Sequence, residues 1–204
     1  MYERYVKRGI DFILALIILP FVLFVIVIMT PFILISDPGP IFYSGLRRGR
    51  NGMPFKMYKF RSMYVNSPDV RNLDGSTFNG HDDPRVTPIG RFMRKTSIDE
   101  IPQFLNVLIG DMSFVGPRPD VPGYADKLEG EDRRMLLLKP GITGPASLKY
   151  RNEEELLAKQ ENPQEYNDKV LFPDKVRLNI EYLDNWSFSN DIKFIIYTVL
   201  GKDL

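Results

Sequence analysis

One ten-residue segment, 94–103, sets two adjacent carboxylates at the expected start of a helix, shortly after two cations. It reads Arg94-Lys95-Thr96-Ser97-Ile98-Asp99-Glu100-Ile101-Pro102-Gln103. Ser97 followed three residues later by Glu100 has the spacing of a capping box. Apolar residues then recur at helical spacing, at Ile101, Leu105, Leu108 and Ile109. The pattern predicts a buried helix over 98–109 that begins with Ser97 as its N-cap.

Asp99 and Glu100 have a structural and a catalytic interpretation. Capping accounts for Glu100 but leaves Asp99 only an interaction with the helix dipole, worth about 0.3 to 1 kcal/mol. Successive helical residues point about 100° apart, so the two carboxylates cannot share one proton as a symmetric pair. A helix N-terminus keeps a carboxylate ionised and favours phosphate nearby, as an aspartate that attacks phosphorus or holds a metal requires.

The neighbouring segments bring cations towards these carboxylates. Residues 91–95 are predicted to form a short helix packed by Ile89, Phe92 and Met93. Residues 110–119 form a strand-like run that ends in a rigid turn, Pro117-Arg118-Pro119. A guanidinium held between two prolines loses little entropy when it forks onto a phosphate, although an arginine in such a turn is often only a surface residue.

An apolar run near the N-terminus predicts contact with a membrane. From Phe12 to Ile35 no residue is charged, and the run is long enough to cross a bilayer. Basic residues flank both ends, which places both ends on the cytoplasmic side by the positive-inside rule. Pro20 removes a helical hydrogen bond and favours a kink, so residues 1–36 are predicted to form a re-entrant helix that bends and returns. A single span with a proline kink is the alternative.

The catalytic domain is expected over residues 37–204, after the helix ends at Asp37-Pro38-Gly39-Pro40. Two short strands, 41–43 and 55–60, enclose a turn that contains Asn51-Gly52, which indicates a β-hairpin. Lys59 lies near the end of the second strand, where it is either a site residue or a solvated edge charge.

The remaining segments predict loops and helices around this core. Residues 66–85 are expected to form a long loop, in which His81 is a surface residue rather than a metal ligand. Helices are expected over 129–138 and 153–160. The C-terminal apolar pattern predicts an amphipathic helix opened by Ser189 or Asn190, which either closes the core or lies in the membrane interface.

Composition excludes several classes of function. The 204 residues suffice for one domain of ordinary size, and the net charge of +1 argues against a nucleic-acid protein. The absence of cysteine excludes disulfides, thiolate zinc sites and a cysteine nucleophile. No P-loop, Gly-x-Gly-x-x-Gly or His-Glu-x-x-His motif occurs.

A set of strings spread over the chain resembles the bacterial monotopic phosphoglycosyl transferases, a family of polyprenyl-phosphate sugar-phosphate transferases. Besides residues 94–103, the strings are Asp37-Pro38-Gly39-Pro40, Tyr58-Lys59-Phe60-Arg61-Ser62-Met63, Asp83-Pro84-Arg85-Val86-Thr87, Gly110-Asp111-Met112-Ser113-Phe114-Val115-Gly116-Pro117-Arg118-Pro119, Pro140-Gly141-Ile142-Thr143-Gly144, Asn185-Trp186-Ser187 and Asp191-Ile192-Lys193. The resemblance implies an α+β, helix-dominated fold in which a re-entrant membrane helix kinked at proline, a small β-hairpin and amphipathic interfacial helices surround one catalytic domain.

The same resemblance implies an activity and its residues. Members transfer a sugar 1-phosphate from a UDP-sugar to polyprenyl (undecaprenyl) phosphate at the cytoplasmic face of the bacterial inner membrane, release UMP and so initiate glycoconjugate assembly. Asp99 corresponds to the nucleophile that forms a phosphosugar intermediate, with Glu100 as its partner and Mg2+ close to Asp99. Arg94 and Arg118 correspond to phosphate-facing arginines and Lys59 to a lysine of the site. Downstream glycosyltransferases and further copies of the chain are compatible partners.

Two departures from the family pattern limit what the resemblance implies. Leu19-Pro20 replaces the Ser-Pro pair at the kink, which leaves the bend angle undecided. Pro145-Ala146-Ser147 replaces Leu-Ala-Gln, so the identity of the sugar does not carry over. A membrane-anchored scaffold without catalysis and a direct glycosyltransferase are the alternatives, and the released nucleotide separates the three hypotheses.

Overall fold

The computed structural model describes residues 6–68, 70 and 83–204. Its α-helices and strands are α1 (Lys7–Ser36), β1 (Phe42–Arg48), β2 (Pro54–Phe60), α2 (Pro88–Lys95), α3 (Gln103–Ile109), β3 (Ser113–Val115), β4 (Gly141–Thr143), α4 (Pro145–Lys149), α5 (Glu153–Ala158), α6 (Pro163–Tyr166), α7 (Phe172–Asp184) and α8 (Phe188–Val199). In addition, 3-10 helices cover Arg50–Gly52, Ile98–Glu100, Ala125–Lys127 and Gly130–Leu137, and a π-helical turn covers Asn167–Leu171. The predicted helix-dominated fold with a small sheet is confirmed.

The chain divides into two compact units that exchange segments. The larger unit consists of Met1–Leu14, Leu46–Lys56 and Asn106–Leu204, and the smaller unit of Ala15–Gly45 and Met57–Leu105. The expected boundary at residue 36, between a membrane helix and a catalytic domain, stays a prediction.

The smaller unit is built on residues 15–36 of the apolar helix α1. In the part of the chain that the structure describes, α1 is the one helix long and apolar enough to cross a membrane. A stripe along α1 packs on β2 and α2, and the cluster consists of Met29, Ile33, Phe60 and Met93. Most other apolar side chains of α1 are exposed, as Ile17, Val27 and Ile35 show. Pro20 and Pro31 lie within α1, and the bend expected at Pro20 stays a prediction.

The predicted hairpin is confirmed, with a first strand longer than expected. β1 and β2 form a two-stranded sheet and are joined by the turn 49–53, a connection too short for a parallel pair. Asn51 and Gly52 both adopt positive φ, of 56° and 75°, which is the conformation that the Asn-Gly pair favours in such a turn.

The larger unit contains two short parallel strands, and glycine is needed where the backbones beside them pass close to each other. β3 pairs with β4 in the register Ser113↔Gly141 and Val115↔Thr143. A Cβ atom at Gly116 would lie 2.2 Å from the carbonyl oxygen of Lys139, so only glycine lets these two backbones approach so closely. This contact fixes the start of the turn that carries Arg118. A separate core of the same unit contains Ala125, Leu128, Met135, Leu136 and Val176.

Several predicted details are corrected. Gly130–Leu137 is helical as expected, but as a 3-10 helix whose Met135 and Leu136 are buried. The C-terminal helix α8 is opened by Ser187, whose side-chain oxygen accepts from the N–H of Asn190, and not by Ser189 or Asn190. Phe92 is 51% exposed, because Ile89 and Met93, four residues apart, form the packed face of α2. His81 and most of the predicted loop 66–85 lie outside the described residues.

Candidate active site

Asp99 and Glu100 lie in a 3-10 turn, Ile98–Glu100, between α2 and α3. The predicted capping box is wrong: Ser97 has φ 56° and ψ 17°, in the left-handed region, and its side chain accepts no capping hydrogen bond. The backbone carbonyl of Ser97 accepts from the N–H of Glu100 instead, at 3.2 Å. Helix α3 starts only at Gln103. The left-handed residue therefore reverses the chain after α2 and turns the two carboxylates out of a regular helix.

Lys59 approaches both carboxylates from the end of β2. Its ammonium donates to Glu100 Oε1 at 2.6 Å and lies 3.9 Å from Asp99 Oδ2. Glu100 is partly exposed, whereas Asp99 is only 8% exposed. The ambiguous Lys59 of the sequence is thus part of this cluster and not a solvated edge charge.

Arg94 is held near the carboxylates by a close contact between α2 and the segment after β2. A Cβ atom at Gly90 would lie 2.0 Å from the carbonyl oxygen of Ser62, so glycine is needed where α2 crosses that segment. Arg94 Nε donates to Ser62 Oγ at 3.0 Å. Ser62 had no distinguishing signal in the sequence beyond its place in the string 58–63.

Burial raises the pKa of Asp99 above its ordinary value, because a charged carboxylate loses hydration inside the protein. The positive charge of Lys59 acts in the opposite direction, the negative charge of Glu100 raises the pKa further, and Arg94 lowers it. Asp99 lies in a 3-10 turn and not in the first turn of the predicted helix 98–109. Two cations and the surrounding burial decide its charge instead.

Arg118 belongs to the larger unit, where it is exposed in the turn after β3. Asp120, two residues later, was not singled out in the sequence. Burial raises the pKa of Asp120 to about 6, while Lys175 and Arg118 oppose this rise. Its position directly after Pro117-Arg118-Pro119 was the available signal.

The structure thus brings Asp99, Glu100, Lys59 and Arg94 together within the smaller unit, whereas Arg118 belongs to the larger unit. The roles of these five residues in chemistry stay predictions.

The donor atoms of the smaller unit suit a hard cation held partly by substrate. Among the described residues no group of three or more Asp, Glu or His side chains could enclose a metal ion. Asp99 and Glu100 supply two neighbouring carboxylates. Mg2+ is commonly bound by one or two carboxylates together with substrate phosphates and water, so this pair fits it.

The family model described as bacterial sugar transferase matches residues 2–201, nearly the whole chain. The chain belongs to the bacterial sugar transferase family. The resemblance drawn from the sequence strings is therefore confirmed at the level of the family.

Named relatives within the sugar transferases differ in the sugar that their names specify. Galactosyl transferase CpsE of Streptococcus agalactiae serotype III is 41% identical over 80% of this chain and 35% of that protein. The UDP-glucose:undecaprenyl-phosphate glucose-1-phosphate transferase of Escherichia coli K12 is 39% identical over 97% and 40%. The undecaprenyl-phosphate galactose phosphotransferase of Salmonella typhimurium LT2 is 35% identical over 98% and 42%. This sugar transferase chain thus spans about two fifths of the length of these relatives.

Proposed function

We propose that the protein transfers a sugar 1-phosphate from a UDP-sugar to undecaprenyl phosphate and releases UMP, as the first step of a bacterial glycan. The observation that carries this proposal is the buried carboxylate of Asp99, flanked by Lys59 and Arg94 in a chain with an apolar membrane helix. The names of two relatives specify transfer to undecaprenyl phosphate. The sugar differs between those names, so the proposal covers UDP-sugars as a class.

In the proposed first step, a carboxylate oxygen of Asp99 attacks the phosphorus that carries the sugar. An oxygen–phosphorus bond forms, the bond from that phosphorus to the bridging oxygen breaks, and UMP leaves with the electron pair. In the second step an oxygen of undecaprenyl phosphate attacks the same phosphorus, and Asp99 is released as a carboxylate. Neither step requires a proton, so Asp99 needs only to be ionised.

Cations next to Asp99 serve this chemistry because an anion must approach an anionic diphosphate. Lys59 and Arg94 carry fixed positive charge beside the carboxylate, where water is scarce and charge interactions are strong. Asp99, with Glu100 beside it, would hold Mg2+ through oxygen. When bound, the ion neutralises charge on the phosphates. Glu100 holds Lys59 in place through their ion pair.

The same proposal includes a re-entrant α1 at the cytoplasmic face of the inner membrane. At its N-terminal end, within the larger unit, Lys7 pairs with Asp191 at 2.6 Å, and Arg8 donates to the carbonyls of Val107 and Leu108 at 2.6 and 2.7 Å. At its C-terminal end, within the smaller unit, the carboxylate of Asp37 accepts from Arg61.

The partners at both ends of α1 come later in the chain than α1 itself. No second helix able to cross a membrane occurs among the described residues. In the proposed topology these later segments lie on the cytoplasmic side, and the bonds made at each end of α1 support return rather than crossing. The nucleotide-sugar is made in the cytoplasm, so that side is the productive one.

The test uses the purified protein in lipid nanodiscs with a panel of UDP-sugars and undecaprenyl phosphate. UMP release, together with an intact-mass increase equal to one sugar phosphate when the lipid acceptor is omitted, is expected. Asp99→Asn should lose both signals, whereas Asp132→Asn, an exposed carboxylate of the larger unit, should keep them. UDP release would identify a direct glycosyltransferase, and the absence of turnover with every donor would leave a scaffold.

A further inference from the structure

The exposed face of α2 has no role in the chemistry described above. Ile89 and Met93 of α2 pack into the cluster with α1, whereas Arg91, Phe92 and Lys95 are exposed. Lys95 follows Arg91 by four residues and Phe92 by three, so the three side chains share one side of the helix. Helix α2 therefore presents an aromatic ring beside two cations on the surface of the smaller unit.

Both cations of this face are available to a partner. Within the described ranges, neither Arg91 nor Lys95 forms a hydrogen bond or an ion pair through its side chain. Helix α2 contains no acidic residue that could neutralise them. The third cation of the helix, Arg94, is directed elsewhere and donates to Ser62 Oγ. Two unneutralised positive charges thus lie about one helical turn apart on the exposed face.

The packing of α2 fixes its position along the apolar helix. Met93 of α2 shares one buried cluster with Met29 and Ile33 of α1. Helix α1 ends at Ser36, so these two contacts lie about 10 and 5 Å from its end along the axis. The headgroup layer of a bilayer is about 5 to 8 Å thick on each side. For an α1 held in a membrane, α2 therefore lies near the level at which hydrocarbon gives way to headgroups.

The end of α1 presents further side chains that suit this level. Ile35 in the last turn of α1 is 82% exposed, and Tyr43 and Tyr64 of the smaller unit are also exposed. The N–H of Val65 donates to Asp37 Oδ2 at 2.7 Å, which holds the Tyr64–Val65 segment beside the helix end. Tyrosine is enriched at the membrane–water boundary because its ring is apolar and its hydroxyl polar.

We propose that the exposed face of α2 docks on the bilayer, with the Phe92 ring at the acyl boundary and Arg91 and Lys95 on the phosphates of anionic phospholipids. The inference goes beyond the proposed transfer reaction but rests on the proposed membrane placement of α1. An anionic phospholipid layer is the partner that offers an apolar region and phosphates within one side-chain length of each other. Arg94 lies in the last turn of the same helix, so docking would also hold this residue of the candidate site at a fixed depth.

Quenching by spin-labelled lipids tests the contact. The full, cysteine-free chain with Phe92→Cys carries a bimane label, in phosphatidylcholine vesicles that contain either nitroxide-labelled phosphatidylglycerol or nitroxide-labelled phosphatidylcholine. Val27→Cys, exposed on α1, provides the reference for a site inside the bilayer. Arg91→Gln together with Lys95→Gln removes the charge. The exchanged pair, Arg91→Lys with Lys95→Arg, keeps the charge and is the matched control. UMP release from UDP-sugars is measured in parallel on the unlabelled proteins.

Both labelled lipids should quench the label at residue 92, with a preference for phosphatidylglycerol. Each cation near an anionic surface should contribute about fivefold to this preference, so the double glutamine variant should lose about 25-fold and the exchanged pair should behave as the parent. The label at residue 27 should be quenched in every variant.

Two results would overturn the inference. One is a label at residue 92 that is not quenched while residue 27 is; the other is a preference for phosphatidylglycerol that survives the loss of both cations. If neither position is quenched, the membrane placement of α1 fails together with the inference. UMP release without quenching at residue 92 would keep the proposed function and reject docking. Charge-dependent quenching without turnover of any UDP-sugar would reject the proposed function and keep docking.

Discussion

Lys59 Nζ lies 2.6 Å from Glu100 Oε1, in a direct ion pair between the end of β2 and the turn before α3. The same ammonium is 3.9 Å from Asp99 Oδ2, too far for a hydrogen bond. Glu100 thus takes the direct contact and leaves Asp99 with a weaker, longer-range attraction. A buried carboxylate without a directly bonded cation keeps a raised pKa and a reactive oxygen.

Replacing Lys59 with Met should shift the acid limb of the pH–rate profile to higher pH. Lys59 lowers the pKa of Asp99, and the attacking form is the carboxylate, so removing the cation increases the protonated fraction at any given pH. The measurement is UMP release in the absence of lipid acceptor over a pH series. Lys56→Met, on the same strand and exposed, is the matched control. If the acid limb does not move, Lys59 has no effect on the pKa of Asp99.

Glu100→Gln should move the same limb in the opposite direction. The charge of Glu100 raises the pKa of Asp99, and Gln also releases Lys59 from its ion pair. Both effects favour the ionised nucleophile, so activity should persist to lower pH than in the parent protein. A capping role would predict no change in the profile, because Gln serves equally in a capping box. A shift to higher pH would contradict this account.

Asp99→Asn should stabilise the fold at neutral pH while it abolishes transfer. The folded-state pKa of Asp99 is raised, so the folded protein binds more protons than the unfolded chain between the two pKa values. The contribution of Asp99 to stability is therefore present at low pH and lost as pH rises through this window. Thermal unfolding in detergent should show the difference between variant and parent growing with pH and then levelling off. A difference that shrinks as pH rises would show that the pKa of Asp99 is lowered, and not raised, in the folded protein.

Ser97 offers a test of backbone conformation. A non-glycine residue in the left-handed region costs roughly 1 kcal/mol, so Ser97→Gly should be neutral or stabilising even though glycine gains entropy in the unfolded chain. Ser97→Ala should cost less than the approximately 1 kcal/mol typical of a lost N-cap, since the side chain caps nothing. Chemical denaturation of the two variants provides the free energies of unfolding. If Ser97→Ala lowers the free energy of unfolding by about 1 kcal/mol or more, the Ser97 side chain acts as an N-cap after all.

The topology of α1 is accessible to labelling because the chain contains no cysteine. Single cysteines at Val6 and Asn51, both exposed, should resist an impermeant thiol reagent in intact cells and react after lysis. Phe24→Cys, exposed on the apolar surface of α1, is the control that a bilayer should shield in both conditions. Labelling of Val6→Cys from outside the cell would establish a true span.

The sequence predicted those features that depend on neighbouring residues. The uncharged run from Phe12 to Ile35 gave α1, and Asn51-Gly52 gave the hairpin turn, because length, apolarity and backbone preference act locally. Local rules failed at Ser97 and at the cap of α8. Ser97 adopts the left-handed region and caps nothing, and Ser187 rather than Ser189 or Asn190 caps α8.

The family, the apolar N-terminal helix and the candidate carboxylates and cations could all be predicted from the sequence, since these follow from composition and short strings. Long-range packing, by contrast, pairs Lys59 with Glu100 rather than Asp99 and brings Lys7 to Asp191 near the other end of the chain. It also packs the ring of Tyr124 edge to face against that of Phe172. Such pairings join residues that no local pattern connects. They exist because burial of the surrounding apolar surface fixes where each backbone segment passes, and the long polar side chains then meet the partners within reach.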